Sequence, residues 1–342
     1  MNRAAPKPQQ TAFHTLTPEA VISLVEEALG VKCTNLCRPL TSYINRVFEL
    51  AGRDGAGLVV KFYRPGRWST AALQDEHDFL LDLTEAEIPV VAPCRFTDGT
   101  SLATFGAINF AVFPKRGGRS VDEFTDEQWL QLGRLLGRTH AIGALRSPRE
   151  RIIMAPDHST RQQIDYLLTT DRIPSPLRDP FRHLADDLLA TITPLFAGLE
   201  MIRIHGDCHF ANLLHRPDES FLLIDFDDMA VGPPVQDLWM LLPGYREDSG
   251  PEIEMFLEGY ETFRRFDRRT LALIEPLRAM RYLHYITWCA HQLAEDGLSR
   301  LAPDFGSPDY WQREIRDLED QLQRIRQVAP GNDEAGRDVI VD

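Results

Sequence analysis

Several features that would define a protein class are scarce in this chain of 342 residues. Cysteines number five, an odd count, at positions 33, 37, 94, 208 and 289. Scattered this way, they argue for reduced thiols and against a disulfide framework. Cys33 and Cys37 have no second pair at metal-ligand spacing, and His205, Cys208 and His209 fall inside a stronger motif treated below, so no zinc site is expected. Long apolar runs are missing too. Stretches such as Phe221-Leu222-Leu223-Ile224 are far too short to span a bilayer. The N-terminus MNRAAPKPQQ has no apolar core, so it is not read as a secretory signal, and the expected location is cytoplasmic. Positive charge is in deficit: 37 Lys and Arg against 51 Asp and Glu give a formal net charge of −14. Such a surface repels nucleic acid and anionic membranes, so neither is expected as a partner. No internal repeat is visible, and a monomer is expected.

Hydrophobic residues make up 43% of the chain and charged residues 26%, an ordinary globular composition. The length suits two lobes better than one core. Residues 1–12 are expected to be disordered. Thr17-Pro18-Glu19 then opens a helix that stops at Gly30: an N-cap, a proline in the first turn and an early acid. A β-rich stretch follows. Val47–Leu50 and Leu58–Phe62 read as strands joined by a turn at Asp54-Gly55. A helix is expected over Thr70–Leu83, then strand-like runs near 90–96 and 108–113. Pro114 and Gly117-Gly118 break the pattern. Beyond them the periodicity is helical, over 129–140, 180–196, 253–264, 270–295 and 309–328. One β-segment, 202–226, interrupts the helices. Residues 329–342 read as a loose tail. The expected division is an N-terminal lobe over 1–115, a C-terminal lobe over 116–328 and the tail.

The densest chemistry lies in that β-segment. Ile204-His205-Gly206-Asp207-Cys208-His209-Phe210-Ala211-Asn212 is followed by Leu222-Leu223-Ile224-Asp225-Phe226-Asp227-Asp228. Two apolar strands thus end in oxygen-bearing side chains that can converge on one hard cation. The pattern matches the protein-kinase signature H-x-D-x-x-x-x-N followed by D-F-x. In that chemistry the first Asp accepts the acceptor hydroxyl's proton, while the Asn and second Asp hold Mg²⁺ against ATP phosphates. Asp207 is then the catalytic base, Asn212 and Asp225 are metal ligands, and Asp227 is an additional candidate. A lone Asp-x4-Asn is common in turns, but four constraints coincide here. His205 reads as a residue that orients the loop.

The front half supplies an independent check. Lys61 ends an apolar strand, where an unpaired ammonium is costly, and Glu76 lies on the next helix. Such a pair orients the α- and β-phosphates of ATP, and Glu76 is preferred to Asp75 or Asp78. The phosphate-covering turn, Thr41 to Arg46, lacks G-x-G-x-x-G. Its N–H groups and the Ser42 hydroxyl can still reach phosphate oxygens, although an ordinary turn is an equal alternative. Phe110–Gly118 stands where a kinase hinge would meet the adenine edge.

At these residues the chain resembles the aminoglycoside phosphotransferase and choline kinase branch of kinase-like folds, in which H-G-D-x-H-x-x-N is typical. There is no A-P-E motif, and only a short stretch separates Asp225 from Asp237, so a long activation loop has no room. Over roughly residues 12–328 the chain is also similar to the bacterial stress response kinase A (YihE/RdoA) family. That similarity is carried by Ser42–Val47, Val60–Pro65, His205–His209, Gly232-Pro233, Gln236–Leu242 and Glu275–Arg281. The resemblance implies an α+β, two-lobed, protein-kinase-like (aminoglycoside phosphotransferase-like) fold with a β-rich N-lobe and a helical C-lobe. It also implies a Ser/Thr protein kinase of stress response that uses ATP and Mg²⁺, with Ser42 at the ATP site, Asp207 catalytic, and Asn212 and Asp225 on the metal. Asp237 is expected to bond loop backbone and anchor the segment after Asp225. Arg278 and Arg281 lie on the 270–295 helix, where core packing is favoured over a role in the acceptor cleft.

Three functions compete. A Ser/Thr protein kinase is supported by whole-length similarity, and a small-molecule alcohol or aminoglycoside kinase by the generic motif. A non-catalytic nucleotide-binding regulator is disfavoured, because Lys61, Asp207, Asn212 and Asp225 are all present.

Overall fold

Alternation along one strand sets the architecture of the front half. In β3 (Gly57–Phe62), Leu58, Val60 and Phe62 project to one face. There they join Val21 and Val25 of α1 (Pro18–Leu29), together with Leu50, Phe110 and Val112, in a continuous core. Lys61 projects to the other face, as the two-residue period of a strand requires. The computed structural model describes residues 13–42, 44–121, 123–216, 220–297, 299 and 301–328. The expected loose ends, 1–12 and 329–342, lie outside the described residues. The chain forms two compact units, one drawn from 1–151, 201–241 and 250–266, the other from 152–200, 242–249 and 267–342.

In the first unit, α1 begins as its sequence predicts: the Thr17 side chain accepts from Ala20 N–H at 3.3 Å, and Gly30 caps the end. Five antiparallel strands follow in the order β1-β2-β3-β5-β4: β1 (Cys33–Leu40), β2 (Arg46–Gly52), β3, β5 (Ile108–Pro114) and β4 (Ala103–Phe105). Lys61 pairs with Val47 on one side and Ala111 on the other. Helix α2 (Thr70–Glu85), capped by Ser69, carries the buried Asp75, Glu76 and His77. The strand expected over 90–96 is absent; Val90 makes a single bridge, to Leu223. Pro89 and Pro93 remove N–H donors that a ladder would need.

Helix α3 (Asp126–Gly143) packs along α7 (Gly250–Tyr260), so closely that a Cβ on Gly259 would lie 2.1 Å from Leu130 O. The central β-segment forms two small antiparallel pairs, β6 (Ile202–Ile204) with β9 (Ala230–Gly232) and β7 (Leu213–Arg216) with β8 (Ser220–Leu223). The short helix α6 (Gln236–Trp239) follows β9.

The second unit is helical, built from α4 (Arg161–Thr169), α5 (Ser175–Ile192), α8 (Ile274–Asp296) and α9 (Pro308–Val328). Phe181 of α5 meets Trp311 of α9 edge-on, ring centroids 5.2 Å apart. Glu275 of α8 is 1% exposed and accepts from Arg246 N–H at 3.1 Å, Arg278 Nε at 3.1 Å and Gln321 Nε2 at 2.8 Å. Arg278 also donates to Gly244 O at 2.8 Å. Arg278 is therefore held, partly exposed, by contacts within this unit. Among the described residues no helix is long and apolar enough to cross a membrane.

Candidate active site

Strand register brings the oxygen-bearing residues together. Leu213 lies opposite Leu223, so Asn212 and Ile224 flank the same rung, and Ile224 N–H donates to Asn212 O at 3.1 Å. The pairing of Ile204 with Ala230 likewise sets the Asp207 turn beside residues 228–229. Gly206 has φ +83, and a Cβ there would lie 2.3 Å from Asp228 O, so only glycine fits the turn.

The turn is held from beneath by Asp237. Its side chain is fully buried and accepts from His205 N–H at 2.8 Å, Gly206 N–H at 2.9 Å and His140 Nε2 at 3.0 Å. Asp237 does bond loop backbone, as expected, but in the turn between β6 and Asp207. His205 accepts from Asp207 N–H through Nδ1 at 3.3 Å, which leaves Nε2 to donate to Ile224 O at 2.9 Å. Its ring also lies 4.5 Å from that of Phe226. These contacts give His205 an orienting role. His209 Nδ1 accepts from Ala211 N–H at 3.2 Å, and its Nε2 lies 3.4 Å from Asp207 Oδ2. Asn212 Nδ2 donates to Asp207 O at 2.9 Å, so Oδ1 is the atom its amide can offer a cation.

Asp225 departs from ordinary backbone geometry. Its φ of 59 and ψ of 68 are left-handed, unusual for a residue with a side chain. Its side chain is 55% exposed, whereas that of Asp227, two residues on, is 8% exposed. Lys61 Nζ bridges the two, 3.0 Å from Asp225 Oδ1 and 3.1 Å from Asp227 Oδ1. Arg67 adds ion pairs to Asp227 and Asp228, and Asn45 Nδ2 donates to Asp227 Oδ2 at 3.3 Å. Burial works to raise the pKa of Asp227, but Lys61, Arg67 and Arg151 outweigh it and hold the carboxyl well below the usual range. Burial likewise opposes charge on Lys61, yet Asp225, Asp227 and Glu76 keep its pKa well above the ordinary value.

The structure thus gathers Lys61, Asp207, Asn212, Asp225 and Asp227 around the ends of β3, β6 and β8. Glu76 acts on Lys61 through its charge, but its carboxylate accepts from Arg151 Nη2 at 2.8 Å. Ser42 lies half-buried in the β1–β2 connection, and its neighbour Tyr43 lies outside the described residues. From that connection it is Asn45, which the sequence reading passed over, that reaches the carboxylates. Arg67 and Arg151 were also missed: each sits in a polar loop, and its partners are 160 and 75 residues away in sequence.

The donor set suits a hard divalent cation. The exposed Asp225 carboxylate and the Asn212 amide oxygen are hard ligands, and such an ion completes its shell with phosphate oxygens and water. Asp227 is committed to Lys61, Arg67 and Asn45.

An antiparallel sheet presenting a buried lysine to carboxylates that follow β8, with the Asp207 turn after β6 beside them, defines a kinase-like phosphotransferase. The chain belongs to the phosphotransferase enzyme family, whose model matches residues 37–274, and within it to the stress response kinase A group. It is 35% identical over 316 residues to "Stress response kinase A" of Escherichia coli (strain K12), covering 92% of this chain and 95% of that protein. It is also 35% identical over 320 residues to "Serine/threonine protein kinase RdoA" of Salmonella typhimurium, with the same coverage of both chains. Two solved structures share the fold. One is an amicoumacin kinase in complex with AMP-PNP, Ca²⁺ and Ami, with TM-score 0.71, 20% identity and 91% and 94% of the two chains covered. The other is a microcompartment-associated aminopropanol kinase, with TM-score 0.67, 16% identity and 91% and 97% covered.

Proposed function

We propose that this protein is an ATP- and Mg²⁺-dependent kinase of the cytoplasm that phosphorylates Ser or Thr hydroxyls of proteins. The observation that carries the reading is the joining of Lys61 to Asp225 at 3.0 Å, with Asn212 tied to the strand that delivers Asp225. Lys61 would orient the α- and β-phosphates of ATP as a compact point charge. Asn212 and Asp225 would hold Mg²⁺, which supplies charge neutralisation to the phosphates. Asp207 positions the acceptor hydroxyl and takes its proton. The extended segment after β5 would meet adenine, and Ser42 would lie over the phosphates. Asp227 anchors Lys61 in this reading. The protein acceptor is favoured over a small alcohol because similarity to the relatives named as stress response and Ser/Thr kinases spans 92% of the chain. The small-molecule kinases share only the fold, at 16–20% identity.

The test is a paired measurement on Asp207→Asn. The variant should fold and bind Mg·ATP as the wild type does, while ³²P transfer falls by about a hundredfold or more, the scale of losing a general base. Full transfer by Asp207→Asn removes Asp207 from the mechanism. Transfer by the wild type to small-molecule extracts but not to protein would overturn the acceptor class.

A further inference from the structure

We propose that Arg151 is a positioning residue of the phosphotransfer site, locking α2 and the loop after Asp225 to each other so that Lys61 and Asp225 stand in reacting register. The inference rests on the phosphotransferase reading of that site. In protein kinases an ion pair between the strand lysine and a helix glutamate does this work. Here Lys61 spends its contacts on Asp225 and Asp227, at 3.0 and 3.1 Å. Arg151 takes up the glutamate instead. Its side chain is 0% exposed, and Glu76 opposite it is 1% exposed. The planar guanidinium donates in three directions at once. Nη2 reaches Glu76 Oε2 at 2.8 Å, Nε reaches Ala72 O at 2.8 Å, and Nη1 reaches Asp227 O at 2.6 Å and Met229 O at 3.5 Å. Two of these partners lie on α2 and two on the loop that follows Asp225. The Trp68 ring, 4.5 Å from the guanidinium carbon, covers the fork.

The residues before Arg151 reinforce the clasp. Arg149 N–H and Glu150 N–H both donate to the Asp75 carboxylate, at 2.9 and 2.7 Å to Oδ2. On its other side, α2 is tied to the residue that follows β3, through Tyr63 OH, 3.1 Å from His77 Nε2. Helix α2 is thus braced by direct hydrogen bonds through Asp75, Glu76 and His77, while Lys61 acts on Glu76 through its charge.

Lysine at 151 keeps the charge but has one ammonium for partners in three directions, so Arg151→Lys separates charge from geometry. The experiment uses the full chain below its melting transition and reads ³²P transfer, KM for ATP and Mg·ATP affinity by calorimetry. Arg151→Lys should lower kcat roughly tenfold or more, because small misplacements of reacting groups are expensive. KM for ATP should stay within about threefold, since the phosphate-binding groups remain. Arg151→Met combined with Glu76→Gln should lose no more activity than the worse single variant, as expected of groups acting as one unit. A role confined to folding would lower the melting temperature and leave kcat per folded molecule unchanged, and that result overturns the proposal. Should Arg151→Lys fail to fold, Glu76→Gln supplies the same kcat-against-KM split, and a wild-type kcat there also overturns it. Asp207→Asn runs alongside. If it is inactive while Arg151→Lys is normal, only the clasp is wrong. If Asp207→Asn is fully active, the phosphotransferase site itself is wrong.

Discussion

Two buried ionic networks in this protein use the same side-chain types to different ends. Around Glu275 in the helical unit, the carboxylate meets one backbone N–H, one guanidinium and one side-chain amide, and is itself 1% exposed. Glu275 and Arg278 sit on the regular backbone of α8, and Gln321 on that of α9. Around Lys61 in the other unit, three cations face four carboxylates, counting Arg67 and Arg151 with Lys61, and Glu76, Asp225, Asp227 and Asp228. One of those carboxylates, Asp225, stands 55% exposed on left-handed backbone. A closed network satisfies itself, whereas one with surplus negative charge and a strained, exposed carboxylate is arranged to meet something else.

The largest expected effect sharpens this contrast. Asp225→Ala should reduce phosphotransfer by about a thousandfold, the upper scale for removing one preorganised electrostatic group. It should also weaken Mg·ATP binding while leaving the fold intact, because the lost carboxylate was half in solvent. Calorimetry on the variant checks it. Undiminished Mg²⁺-dependent ATP affinity would show that Asp225 is no ligand and that the exposed carboxylate resembles the closed kind after all.

Next in size is the reciprocal change at Glu275. Glu275→Ala leaves Arg278 without its carboxylate and Arg246 N–H without an acceptor, and breaking a buried pair from one side costs about 3–5 kcal/mol. Urea unfolding should register that loss. Activity per folded molecule at low temperature should be unchanged. A large drop in kcat with little change in stability would turn the helical network into part of the site.

The same contrast explains what could be read in advance. Lys61, Asp207, Asn212 and Asp225 were legible because short-range spacing and strand alternation fix where they point. The ends of α1 were legible because Thr17, Pro18 and Gly30 are local signals. Strand β1 was not foreseen: its half-exposed residues and Pro39 suit an edge, not the apolar run of a central strand. Arg151 was hidden for a different reason. Ser147-Pro148-Arg149-Glu150-Arg151 reads as a solvated loop, and nothing near it in sequence announces that its last residue will be sealed under Trp68. Asn45 and Arg67 were missed likewise, since their partner Asp227 lies 182 and 160 residues away. Charge that closes a site over long sequence separations leaves no periodic trace.

The smallest effect is a titration, and it probes the wall of the open network. His77 is fully buried between Tyr63 OH at 3.1 Å and Ser101 Oγ at 2.8 Å. Burial first, and then the nearby charges of Lys61 and Arg151, lower its pKa from the ordinary 6.5 to about 3. Between those values the unfolded chain binds a proton on this residue that the folded chain does not. Stability linked to His77 is therefore complete above about pH 6.5 and drains away as pH falls toward about 3. The slope is at most about 1.4 kcal/mol per pH unit. Asp227, whose pKa is depressed, contributes in the same direction but only below the ordinary carboxylate range near 3.8, whereas Glu76, whose carboxyl burial raises above the ordinary 4.5, contributes in the opposite direction, so the histidine's share between about 4.5 and 6 is read as the difference between the wild type and a variant without it. His77→Gln retains a polar side chain without a titrating group. Its stability should be lower at neutral pH but should change less across that interval than the wild type's, in urea midpoints taken at matched ionic strength. Parallel pH profiles for the two proteins would mean that His77 accepts a proton in the folded state, and that the ground beneath Lys61 is wetter than the closed packing of Tyr63, His77 and Ser101 implies.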